Sequence, residues 1–253
     1  MDSSYQRMRA AARRLAAGLP APAFYRVFQH QYARSRQFFE TDPVVRRLYL
    51  QIMDKVGRAM GHGIGHATAV SLDAGCLALV EAHPATVSMA PTTLLRLVQS
   101  AGLLHDICRN EREHAAAGAA AAEILLAGYP FSPAEVQSVC DAIRCHVAFQ
   151  PLPAPTAPIT EFIGNCLYDA DKFRWGPDNF THTVWDMLDE AAIAPLAFAQ
   201  RYDNGIRYVK TVATTFRTAC GRQYGPEFIE QGLTIARKLR PLIDAEIQET
   251  PQQ

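Results

Sequence analysis

The sequence predicts an all-α fold, a helical bundle with an additional N-terminal helical arm. Two observations carry this. Apolar residues recur at helical spacing through nearly every segment, and no stretch shows the strict alternation of a half-buried strand. The breaks between the periodic segments fall at glycine, proline and N-capping residues, the usual punctuation of helices.

In chain order, residues 4–17 are amphipathic and stop near Gly18 and Pro20. A second helix is expected over 22–39, ending before Thr41, Asp42 and Pro43, and a third over 43–60. GHGIGH, 61–66, is a glycine-rich break that opens a helix carrying Val70, Leu72, Leu77, Leu79 and Val80, closed by His83 and Pro84. APTTLLRLVQSAGLLHDI gives the next helix, and the alanine-rich run from His114 to Leu126 another, ended by Gly128 and Pro130. In FSPAEVQSVCDAIRCH, Ser132 is the N-cap, Pro133 the first helical residue and Glu135 the third, which makes a capping box. QPLPAPTAP, 150–158, has four prolines and is expected to be extended. TEFIGNCLYDADKF is helical, and two or three more helices are expected between 181 and 248, with breaks near Pro195, Asn204-Gly205 and Gly225-Pro226. The proline-rich stretch is short and joins helices that share one site, so it reads as an internal loop. The expected organisation is a helical extension over 1–55 and one domain over 56–250.

Composition narrows the function classes. Lys plus Arg total 25 and Asp plus Glu total 25, so the formal charge is zero and the basic surplus of a long-nucleic-acid binder is absent. The six cysteines, at 76, 108, 140, 145, 166 and 220, form no CxxC and read as small buried hydrophobes in a reducing compartment. No apolar run approaches the roughly 20 residues needed to span a bilayer. Arginines interrupt the Ala-rich start, so it is not read as a signal peptide; an amphipathic surface helix is preferred over a transit peptide. The expectation is a cytoplasmic protein without a membrane partner, with oligomeric state left open.

One stretch asks for an explanation. In AGLLHDICRNEREH the apolar face of a helix, Leu103 and Leu104, runs directly into His105 and Asp106. His66 lies in the first turn of one helix, His114 opens another, His146 ends a third, and Asp171 lies near the end of a fourth. Each sits at a helix terminus beside apolar sequence, so packing can gather them at one end of the bundle. Imidazole nitrogen with carboxylate oxygen suits Mn, Fe, Zn, Co, Ni or Mg, and burial of such groups is offset when they bind a metal. Asp106 has two oxygens and could bridge two ions. His62, one helical turn before His66, reads either as a neighbour of the cluster or as a plain loop histidine. Arg109 and Lys172 read either as phosphate clamps or as surface charges. Asp169 reads as orienting a ligand histidine or, the preferred reading, as lying on the opposite helix face; Arg144 is expected off its helix face; Phe173 and Trp175 read as stacking on a base or, preferred, as core. His30, His83 and His182 fit no pattern.

These motifs together resemble the HD-domain superfamily of metal-dependent phosphohydrolases. His66 in HATAV matches the family's first histidine, LLHDIC its adjacent His-Asp, and YDADKF its final Asp, Asp171. Arg109 stands where many members have Lys. HAAAG, 114–118, looks like the His-x-x-x-Gly stretch of the six-ligand, binuclear branch, and His146 in AIRCH matches that branch's remaining histidine. The resemblance covers about 60–175, and residues 1–55 match nothing in it.

The resemblance implies an HD-domain-like bundle holding one or two divalent ions. His66, His105, Asp106 and Asp171 would hold the first, and His114, His146 and a bridging Asp106 the second. The implied reaction is hydrolysis of a phosphate ester of a small molecule, such as a nucleotide, by metal-activated hydroxide, with Arg109, Lys172 and His62 stabilising phosphoryl oxygens. Two alternatives stay open. A mixed-valence di-iron oxygenase would consume dioxygen. A non-catalytic sensor would be stabilised by ligand without turnover.

Overall fold

The computed structural model describes residues 3–53, 62–83, 87–150 and 157–249. Among them there is no strand. The elements are α1 (Ser3–Ala17), α2 (Ala23–Val27), α3 (Gln29–Thr41), α4 (Pro43–Ile52), α5 (Ile64–Glu81), α6 (Pro91–Leu104), α7 (His114–Leu126), α8 (Pro133–Arg144), α9 (Pro158–Phe173), α10 (Val184–Glu190), α11 (Pro195–Val212) and α12 (Ala219–Glu249). A π-helical segment, Asn179–Thr183, leads into α10.

Helix α5 is the centre. Its buried positions run without interruption from Val70 to Ala78, so it is covered on every side rather than along one stripe. It packs on α3, α6 and α9. The α5–α6 approach needs Gly102: a Cβ there would stand 2.7 Å from the Cα of Ser71, whose hydroxyl lies 3.0 Å from the Gln99 carbonyl. This contact fixes the end of α6, where His105 and Asp106 follow.

The N-terminal helices share the core. Tyr5, Met8 and Ala12, at i, i+3 and i+7, form the buried stripe of α1, which lies on α12. The Tyr5 hydroxyl donates to the Ile193 carbonyl at 2.7 Å. The Phe24 ring stands 5.0 Å from that of Phe173, edge to face, and Phe173 stacks on Phe228 at 4.2 Å.

Most predicted helices are present, with three corrections. The helix expected over 22–39 is two, because Phe28 (φ −106°, ψ 29°) leaves helical geometry between α2 and α3. This lets Phe24 turn into the aromatic cluster. The breaks expected at Asn204-Gly205 and Gly225-Pro226 do not occur. Helix α11 runs through Gly205, because Phe198, Tyr202, Val209 and Val212 keep one buried face on both sides of it; one mid-helix glycine costs only about 1 kcal/mol. Helix α12 runs through Pro226, because Phe228, Ile229, Leu233, Ala236, Leu239 and Ile243 bury a continuous stripe. Gly225 is a notch for the Phe216 ring rather than a stop. The expected break at Pro195 is present, with Pro195 in the first turn of α11. The Ser132–Glu135 capping box is formed. The rest of the helix expected over 43–60, Gly61, Pro84 and residues 151–156 of the proline-rich loop lie outside the described residues. No described helix is long and apolar enough to cross a membrane.

A buried polar network outside the His/Asp cluster centres on Asp73 and Arg174. Asp73, on α5, meets Arg174 just after α9; Arg174 also donates to the Tyr25 hydroxyl and to Asp178, each at 2.6 Å. Burial outweighs the attraction of Arg174 and pushes the Asp73 carboxyl up to about 6. Arg174→Met would leave that carboxylate buried and unpaired, with an expected cost of about 3–5 kcal/mol. Without Arg174 the native pKa of Asp73 rises further above its unfolded value, so the variant's stability falls as pH rises. Urea denaturation at about pH 8 and about pH 5 should show the larger deficit at the higher pH; equal deficits at both would contradict the pairing.

Candidate metal centre

Five helix ends deliver the candidate ligands. His66 is the third residue of α5, His105 caps α6 with Asp106 next to it, His114 opens α7, His146 follows the end of α8, and Asp171 lies in the last turn of α9. The structure brings all six together. On one side, His66 Nε2 lies 3.2 Å from His105 Nε2, 3.3 Å from Asp171 Oδ1 and 4.0 Å from Asp106 Oδ2. His105 Nε2 lies 3.4 Å from Asp106 Oδ2 and 3.8 Å from Asp171 Oδ1. On the other side, Asp106 Oδ1 lies 3.4 Å from His146 Nε2 and 3.8 Å from His114 Nε2. Ligand bonds of about 2.1 Å impose ligand–ligand separations of about 3.0–3.4 Å, so these atoms are near the spacing of a coordination sphere.

The imidazoles are aimed by the helix ends themselves. His105 Nδ1 lies 2.8 Å from the Gly102 carbonyl, and His146 Nδ1 lies 2.6 Å from the Ile143 carbonyl. Both acceptors are three residues upstream, among the last carbonyls of a helix, where the regular ladder ends; the Ile143 carbonyl also accepts the His146 backbone N–H at 3.4 Å. With Nδ1–H donating there, the Nε2 lone pair of each ring faces the cluster. Sequence reading missed these two carbonyls. The signal that could have shown them is a histidine at or just past a helix C-terminus, within reach of a carbonyl of the last helical turn three residues back.

The electrostatics fit a cation. Burial alone would raise the carboxyls of Asp106 and Asp171, yet His105 and His146 hold the first, and Lys172 and His66 the second, well below the carboxylate range. Burial pushes His62 down to about 3 and His114 down to about 4, and lowers His66 against the pull of Asp171. His62, His66 and His114 are thus favoured as neutral rings that offer lone pairs beside ionised carboxylates, whereas Asp106 and Asp171 pull His105 up against burial. One atom is left over: Asp106 Oδ1 is buried and has no hydrogen-bond partner. An orphaned buried carboxylate oxygen is costly unless a cation meets it. The residues therefore could hold metal, with Asp106 offering one oxygen to each histidine group.

The other singled-out residues fall at varied distances. The His62 ring is 4.7 Å from that of His66, and His62, His66 and Asp106 form a further group within ligand range. Arg109 Nη1 donates toward His114 Nε2 at 3.0 Å and stands 3.7 Å from Asp106 Oδ1. Lys172 is buried behind the cluster, where Nζ donates to Asp171 Oδ2 and to the His146 carbonyl at 3.1 Å. Asp169 lies on the opposite face, as expected, and accepts from the backbone N–H groups of Arg217 and Thr218 at 2.8 Å, tying down the start of α12. Arg144 pairs with Asp141. Phe173 is core, whereas Trp175 is only half-buried and lines a cavity, a correction to its core reading: it follows the end of α9 rather than the helix's buried face. Cys108 and Cys145 are half-buried, and the other four cysteines are buried; all six are unpaired thiols. His30, His83 and His182 are exposed and belong to no ligand group.

No family model, curated protein or solved structure matches this chain. The geometry makes its own demand on metal content. Asp106→Ala, which removes both carboxylate oxygens of that residue from the cluster, is expected to abolish metal binding while circular dichroism stays helical. His114→Ala should retain about half the metal of the parent protein. Elemental analysis of protein purified with Mn or Fe checks both; unchanged metal in Asp106→Ala would contradict the site.

Proposed function

We propose that this protein is an HD-type, metal-dependent phosphohydrolase acting on a phosphate ester of a small molecule. The observation that carries the reading is the two-sided Asp106 carboxylate, with Oδ2 facing His66 and His105 and Oδ1 facing His114 and His146. Two adjoining ligand sets sharing one carboxylate suit a paired-ion site, a common arrangement for in-line displacement at phosphorus.

Metal bound there supplies Lewis acidity, lowering the pKa of water and neutralising charge on phosphate oxygens. The chain's own residues do the rest. Arg109 has a partly exposed side chain beside the cluster and donates toward the lone pair of His114. When that lone pair serves as a ligand, the guanidinium is released to grip two phosphate oxygens in a fork. His62, kept neutral by burial, offers an uncharged imidazole to orient water or a phosphoryl oxygen. Lys172 is too deep to clamp substrate and acts instead as a positioning residue. It holds the Asp171 carboxylate and the His146 backbone at the same time, joining the two sides of the site.

Release of inorganic phosphate from a panel of phosphate esters, with Mn, Mg, Co, Ni, Fe or Zn supplied, tests the reading. Arg109→Ala is expected to lower kcat/KM by about 10²-fold with metal content unchanged. Lys172→Met should weaken metal binding by about 10–100-fold, so that its activity recovers at high metal concentration. Failure to release phosphate with any metal, together with dioxygen uptake by the iron-loaded protein, would contradict the hydrolase assignment.

A further inference from the structure

Beside the metal cluster lies a cavity of about 340 Å³, bounded by the end of α9, the π-helical segment, α10 and α11. It shares His62, His66 and Arg109 with the cluster, so its occupant would touch the reacting centre. Most of the remaining wall is apolar and aromatic, including Trp175, Met187, Phe198, Tyr202 and Val209. The Tyr202 hydroxyl is already spent on the Ala236 carbonyl at 3.0 Å. Among the described lining residues there is no carboxylate.

Two further features mark this region as built for a ligand. The π-helical segment sets Asn179, Phe180 and Thr183 into the wall. Single π-turns interrupt the regular hydrogen-bond ladder and are frequent at functional sites. Phe149 has φ 62°, a left-handed conformation uncommon for a bulky residue, and its ring is 51% exposed. That ring lies 5.3 Å from Tyr208, which in turn lies 5.5 Å from Trp175. Tyr208 and Trp175 both line the cavity, so the three rings form an aromatic edge to it.

Charge decides the class of occupant. Of the three arginines on the wall, Arg174 is committed to Asp73, Asp178 and Tyr25. Arg109 and Arg201 remain to meet phosphate, enough for one phosphoryl group and poorly matched to a chain of three. The volume is at the small end of the about 300–1,000 Å³ found for small-molecule pockets.

We propose that this cavity receives the organic part of the substrate, and that the substrate class is the monophosphate ester of an uncharged alcohol or phenol bearing an apolar ring system. For the reaction, the inference rests on the hydrolase reading; for the ligand class, it stands on the cavity. In the reaction a water oxygen forms a new bond to phosphorus while the ester P–O bond breaks. Its electron pair goes to the leaving oxygen, which takes up a proton, giving the free alcohol and inorganic phosphate.

The test is calorimetric titration of metal-loaded protein with 1-naphthylmethylphosphonate, which has no ester bond to cleave, beside methylphosphonate and ATP. The naphthyl compound is expected to bind at least about tenfold tighter than either, about 1.4 kcal/mol. Gly205→Trp supplies the blocking variant. Gly205 lines the cavity, a Cβ there meets nothing within 4 Å, and replacing a mid-helix glycine favours α11. In Gly205→Trp the tenfold preference should disappear. Equal binding of the two phosphonates, tighter binding of ATP, or a preference that survives Gly205→Trp would overturn the proposal. Retained naphthyl preference without hydrolysis of any ester would support the cavity's ligand class and overturn the hydrolase reading instead.

Discussion

The carboxylate of Asp106 is the constraint on which the rest of the structure depends. It is buried, held ionised, and points its two oxygens into two groups of imidazoles. His105 is pushed up in pKa: Asp106 and Asp171 overcome the opposing effect of burial, and that ring faces Oδ2. Oδ1 has no hydrogen bond and faces His114, whose neutral form burial favours, and the His146 ring, with Arg109 at the margin. An ionised oxygen in that setting is expensive to bury unless a cation meets it. A cation held between the two groups of imidazoles would offset that cost.

The architecture around this carboxylate follows from what helix ends can do. At a helix C-terminus the regular hydrogen-bond ladder ends. At α6 and α8 carbonyls of the last turn take the Nδ1 side of His105 and His146, which turns the Nε2 side inward. Rigidity comes from the core behind them. Gly102 lets α6 close on Ser71, and the same residue supplies the carbonyl that aims His105. Lys172 spans the gap between α8 and α9. The cluster's geometry is thus set largely by backbone placement at the helix ends. The cavity beside it draws its walls from the π-helical segment, α10 and α11, so most of the cavity wall and the His/Asp cluster come from different parts of the chain.

Much of this was legible in the sequence, for identifiable reasons. The capping box at Ser132 and Glu135 is a local interaction, and the α8 start follows from it. His105 and Asp106 were conspicuous because two polar groups ended an apolar face. What sequence could not show depends on contacts distant along the chain. Gly225 and Pro226 look like a stop until the ring of Phe216 fills the notch and the buried stripe of α12 carries the helix through. Phe28 splits one periodic segment because Phe24 must reach Phe173. Trp175 follows an apolar helix and reads as core, yet it faces a cavity whose opposite wall lies on α11. Lys172 was visible as a charge beside a ligand, but its depth was not, since depth is set by how α8 meets α9.

The account is tested most directly by anomalous scattering from crystals of the manganese-loaded protein. It predicts two peaks about 3.5–4 Å apart, one on each side of the Asp106 carboxylate. The first would lie against His66, His105 and Asp171, the second against His114 and His146. Absence of any peak beside Asp106, or manganese bound only at surface carboxylates, would contradict it.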